Sequence, residues 1–75
     1  MGDAAHDSDD QVMVGKVGRV TGIVAPGRTG EVMVSVRGGT EAFLAYPVDG
    51  ETISANERVV IIEYHPPRTV YVSPA

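Results

Sequence analysis

Valines at 32, 34 and 36 alternate with Glu31, Met33, Ser35 and Arg37. A period of two is the signature of a β-strand, with the valines on one face and the other residues on the opposite face. Glycines at 15, 18 and 22 punctuate the segment before it. A glycine inside a strand marks a bulge, a bend or a close backbone approach. The stretch Gly15–Val36 therefore predicts two strands, about Val17–Val24 and Glu31–Arg37, joined by a turn at Pro26-Gly27 and Gly30. Three more strands follow, at about Glu41–Tyr46, Arg58–Tyr64 and Thr69–Ser73. Gly38-Gly39, Pro47, Asp49-Gly50 and Pro66-Pro67 separate them.

The connection Asp49–Asn56 is longer than the others, with one helical turn expected at most, near Thr52–Ala55. Asn56 tolerates a left-handed backbone. Val59, Val60, Ile61 and Ile62 form an unbroken apolar run. Such a run predicts burial on both faces or a position in the middle of a barrel, so the fourth strand is expected to be central. Five short strands in about sixty residues avoid open edges most simply by closing. The expected fold is an all-β, small five-stranded Greek-key barrel, the OB-fold, with an SH3-like barrel as the alternative.

Composition narrows the means of stabilisation. The chain has 75 residues and no cysteine, which excludes a disulfide framework. His6 and His65 are the only imidazoles, so a structural zinc site is disfavoured. The core rests on Val, Ile and Leu packing. The net charge of −4 is unevenly placed. Residues 1–11 hold Asp3, Asp7, Asp9 and Asp10 without a base, whereas the remainder balances six acids against six bases. Residues 1–12 read as a disordered acidic tail or linker, and 13–75 as the folded domain. His6 with Asp7, Asp9 and Asp10 is a possible metal cluster in composition only, since nothing fixes its geometry. No apolar run in the chain is long enough to span a bilayer.

The spacing Gly15-x-x-Gly18-x-Val20-x-x-x-Val24-x-Pro26-Gly27, followed by Gly30-x-Val32-x-Val34, resembles the start of the NfeD-like soluble C-terminal domain. Phe43-x-Ala45 is similar to that family's aromatic-x-Ala pair on strand three. Ile53, Val59, Ile61 and Val70-x-Val72-x-Pro74 resemble its later strands, so the likeness covers about residues 15–74. Asn56 stands where the family usually has glycine, Phe43 where it more often has tryptophan, and Pro66-Pro67 is unexpected. The resemblance implies an OB-fold domain carried by a membrane-associated protein, with the cytoplasmic side favoured and transmembrane helices preceding the domain. It also implies stomatin-, flotillin- or prohibitin-like membrane partners and a link to membrane protein quality control and membrane protease regulation.

The chemistry-bearing residues do not add a reaction. A hydrolase needs a nucleophile and a base in reach of each other. Ser35, Ser54, Ser73 and His65 are the candidates, and no G-x-S-x-G context surrounds them. Gly27-Arg28-Thr29-Gly30 runs into a strand, not into the helix N-terminus that a phosphate loop requires. The chain is therefore expected to be no enzyme and to take no cofactor or metal. Single-stranded nucleic acid is the rival partner, through Arg19, Arg28 and Arg37 with the four aromatics. A folded part without net positive charge argues against it. A protein-binding surface is the favoured reading, with Arg28, Met33, Arg37 and Phe43 as candidates, Leu44 replacing Phe43 if it is the one that faces outward.

Overall fold

The computed structural model describes residues 13–75. The expected acidic tail and the His6 cluster lie outside the described residues. Five strands form: β1 Val17–Gly22, β2 Gly30–Val36, β3 Gly39–Pro47, β4 Arg58–His65 and β5 Thr69–Pro74. They close into a barrel in the order β1-β2-β3-β5-β4. The β3·β5 pair is parallel, and every other pair is antiparallel. The parallel pair and the closure through β1·β4 give the OB order in preference to the SH3-like alternative.

Period-two alternation sets the inside. Val20, Val32, Val34, Phe43, Ala45, Val59, Ile61, Val70 and Val72 all point inward and are buried. Val36 is only partly buried, at the rim of the same cluster. Among the described residues no polar or charged side chain is buried.

β1 ends two residues earlier than the sequence suggests, because the ladder shifts register between Val20 and Gly22. The chain then makes an isolated bridge from Val24 to Ile53. Val24 N–H donates to the Ile53 carbonyl at 3.1 Å and Ile53 N–H to the Val24 carbonyl at 2.7 Å. Both side chains are buried. This two-bond clip is what covers the barrel between β3 and β4, in place of a helical turn at Thr52–Ala55. A loop residue thus supplies one of the largest buried side chains of the core.

Gly30 opens β2 at a point of close approach. A β-carbon there would stand 2.6 Å from the Ile23 carbonyl oxygen and 2.8 Å from Val24 Cα. Asn56 has φ 77°, the left-handed conformation expected of it. Its N–H reaches the Val20 carbonyl at 2.7 Å, so the turn is tied into the sheet. Asn56→Ala is expected to cost about 1 kcal/mol from the strained φ, and Asn56→Gly close to nothing. Thermal unfolding of the two variants side by side checks this.

The apolar run of β4 is not buried on both faces. Val59 and Ile61 face the core, Val60 is half-buried, and Ile62 is 41% exposed. The ring has no central strand, and β4 pairs with β1 and β5 like any other stave. Ile62 is outside by plain alternation with Ile61, and the register shift between Ile61 and Glu63 then leaves Glu63 outside as well.

Candidate functional site

Every strand has two neighbours in the ring, but β3 meets β5 only from Leu44 onward, so Gly39–Phe43 has a ladder partner on its β2 side alone. The four residues expected to form a partner surface are not brought together. Arg28 lies exposed in the β1–β2 loop, its N–H bonded to the Ala25 carbonyl at 3.2 Å. Arg37 lies exposed in the β2–β3 hairpin with φ 26°. The seven residues of β2 separate them, roughly 23 Å at the usual strand rise. Met33 faces outward between them and is half-buried.

Phe43 does not belong to a surface. It points inward and is 5% exposed, set edge-on to Tyr64 with ring centroids 6.2 Å apart. The Arg68 guanidinium lies 5.8 Å from its ring centre. Strand three is apolar at both parities, and pairing with Val32 on β2 turns Phe43 in and its neighbour Leu44 out. Leu44 is the exposed residue of the two.

Two outward surfaces carry distinctive chemistry. The first spans β3, β5 and β4. The parallel register sets Tyr46 beside Tyr71, with ring centroids 5.5 Å apart and planes tilted by 33°. His65 meets Tyr71 edge-on at 5.2 Å, and its Nε2 lies 3.0 Å from Glu63 Oε1. The Tyr46 hydroxyl is 3.0 Å from Thr29 Oγ1, which fixes the outer ring to the β1–β2 loop. Both tyrosines are half-buried, so their rings are packed yet partly accessible to solvent. The sequence reading did not single out this cluster. Its signal was the outward parity of Tyr46 and Tyr71, readable only once β3 and β5 were known to pair.

The second surface is a groove of about 260 Å³ across β1, β2 and the start of β4. Arg19 and Arg58 stand on one row with Met33, while Val17, Ser35 and Thr40 form the next. It occupies part of the face that OB-folds present to oligonucleotides. No aromatic ring lines it. In the β4–β5 loop, Arg68 is engaged by Glu41 at 3.2 Å and by the Ala42 carbonyl at 3.1 Å.

Among the described residues no three of His, Cys, Asp and Glu are grouped to hold a metal ion. Among them, too, no helix is long and apolar enough to cross a membrane.

Comparison with known proteins agrees with this architecture. No curated protein matches the chain. The soluble domain of the NfeD protein YuaF from Bacillus subtilis is 25% identical, with a TM-score of 0.76 over 96% of this chain and 83% of that one. The C-terminal domain of stomatin operon partner protein 1510-C from Pyrococcus horikoshii is 26% identical, with a TM-score of 0.66 over 88% and 92%. A soluble domain from Corynebacterium glutamicum shares the fold at 24% identity and a TM-score of 0.72, over 88% and 98%; it comes from a membrane protein implicated in regulation of membrane protease activity. The NfeD C-terminal domain model matches residues 17–73, through all five strands, and the chain belongs to that family.

Proposed function

We propose that this domain is a non-catalytic docking module of a membrane-associated protein, and that it engages a stomatin- or flotillin-type membrane protein through the outward face of β3, β5 and β4. The Tyr46–Tyr71–His65 cluster carries the reading. Aromatic residues are enriched where proteins meet, because a rigid ring covers much area at little entropic cost. Here two rings are already packed together, so little freedom is left to lose on binding. Leu44, 48% exposed and two residues from Tyr46, extends the same face with apolar surface. The stomatin operon partner protein of Pyrococcus horikoshii, similar in fold and family, supports the choice of partner.

The placement of Ser35 and Ser73 supports a role without catalysis. His65 pairs with Thr69 on β5, and Ser73 lies four residues further along the same strand, roughly 13 Å away at the usual rise. That exceeds the reach a nucleophile and its base require. Ser35 is on β2 beside Thr40, and the near neighbours of the His65 ring are Glu63 and Tyr71.

Backbone NMR of the labelled domain, titrated with the soluble part of a stomatin-like protein, tests the reading. Shifts centred on Leu44, Tyr46, His65 and Tyr71 are expected. No perturbation at high partner concentration would remove direct docking by this domain.

A further inference from the structure

The groove on β4, β1 and β2 holds a charge arrangement that the fold does not need. Arg19 and Arg58 are direct cross-strand partners. Val20 N–H donates to the Glu57 carbonyl at 2.9 Å, and Ile61 N–H to the Lys16 carbonyl at 2.9 Å. Hydrogen-bonded pairs therefore fall at Val20 and at Lys16, and the arginines occupy a non-hydrogen-bonded position between them. Opposed side chains stand closest at such positions, and like charges directly opposite each other are destabilising. No acidic side chain lines the groove. Arg19 places one N–H on the Asn56 carbonyl at 3.0 Å, which holds its planar fork in position. Among the described residues the Arg58 guanidinium has no hydrogen bond or ion pair. Beside the two cations lie apolar Met33 and Val17, the latter 47% exposed and paired with Val60. The Ser35 and Thr40 hydroxyls close the far side.

We infer that this groove binds an acidic peptide segment, with Asp or Glu carboxylates bridging Arg19 and Arg58 and an apolar side chain over Met33 and Val17. A carboxylate accepts from a guanidinium fork in a bidentate way, and one placed between two forks removes their mutual repulsion. Nucleic acid fits less well, since the groove has no ring on which a base can stack. An anionic membrane surface is recognised by clusters of about 4–8 basic residues, and only two line this groove. The groove is a separate surface from the aromatic face, so the inference goes beyond the docking function and stands or falls independently of it.

The test is an NMR titration of the full chain with a capped nine-residue peptide of three Asp-Leu-Glu repeats. It is repeated on a variant in which Asp3, Asp7, Asp9 and Asp10 are changed to Asn, which removes the unbalanced acidic residues of the chain's first eleven positions. Saturable shifts are expected at Val17, Arg19, Met33, Ser35, Thr40 and Arg58, with none from an Asn-Leu-Gln peptide of the same length. Arg58→Glu sets an opposite charge across from Arg19, so peptide affinity falls at least tenfold while Tm rises. Arg58→Gln lowers affinity in the same direction without adding a charge. The inference is overturned if neither protein shows groove shifts at millimolar peptide, or if the Asn-Leu-Gln peptide shifts the same amides. It is equally overturned if a ten-residue oligothymidylate or vesicles containing phosphatidylserine perturb the groove at lower concentration than the acidic peptide does.

Discussion

Phe43→Ala is expected to lower the stability of the domain by about 3–5 kcal/mol, the usual cost of removing a buried aromatic ring. The ring is 5% exposed, and its removal strips the edge contact with Tyr64 and opens a cavity between β3 and β2. At the usual stability per residue, a chain of 75 residues has about 4–11 kcal/mol in total. The variant thus loses between about a quarter and all of its stability, with Tm lower by roughly 12–40 °C. Leu44→Ala, one residue along and facing solvent, is expected to change stability by less than about 0.5–1 kcal/mol. Urea unfolding followed by circular dichroism separates them. Comparable losses from both substitutions would mean that the assigned parity of β3 is wrong.

Gly30→Ala is the second large effect, and its cause is crowding instead of a cavity. The new methyl would meet the Ile23 carbonyl oxygen at 2.6 Å, Val24 Cγ2 at 2.7 Å and Val24 Cα at 2.8 Å. Two of these three are backbone atoms, so no rotamer change relieves the contact. The segment carrying them is also held to Ile53 by two hydrogen bonds. Opening that clip to make room uncovers Val24 and Ile53 together, and a loss of about 3 kcal/mol is expected, at the upper end for overpacking. Gly39→Ala provides the control, because a β-carbon there meets nothing within 4 Å. It should be neutral, or slightly stabilising through the unfolded state. A Gly30→Ala protein with unchanged Tm would contradict the packing of the β1–β2 loop against the start of β2.

The difference between these two sites and the rest of the barrel shows what could be read from the chain. Val32 and Val34 announced their burial, because strict alternation leaves one choice of face. Asn56 announced its left-handed turn, because few residue types tolerate that backbone. Phe43 and Leu44 did not declare their sides, since neighbouring positions on β3 are apolar at both parities and only the pairing with β2 decides between them. Val60 and Ile62 were misread for a related reason: in an unbroken apolar run the composition is the same at both parities, and here the outward pair stays on the surface of the ring. Ile53 belongs to the core from within a loop, through a bridge to a residue 29 positions earlier in the chain.

The candidate surfaces were less legible than the fold. Met33 was placed correctly on the outer face, and it lines the arginine groove. Arg28 and Arg37 are neighbours in composition only, and the strand between them holds them at opposite ends. Tyr46 with Tyr71, and Arg19 with Arg58, are assembled by the β3·β5 and β1·β4 pairings that close the ring. Those pairings join segments far apart in sequence, and local periodicity carries no information about them.

In the proposed docking role the outward tyrosines serve recognition more than stability. The most direct measurement is the affinity of a Tyr46→Ser, Tyr71→Ser double variant for the soluble part of a stomatin-like protein, determined by calorimetry beside the unaltered chain. Loss of the ring pair costs about 0.5–1.5 kcal/mol beyond the area the half-buried rings cover, so the amide spectrum of the double variant is recorded first and must be dispersed. Affinity is expected to fall at least tenfold with the fold retained. Affinity unchanged in a folded double variant would contradict that role.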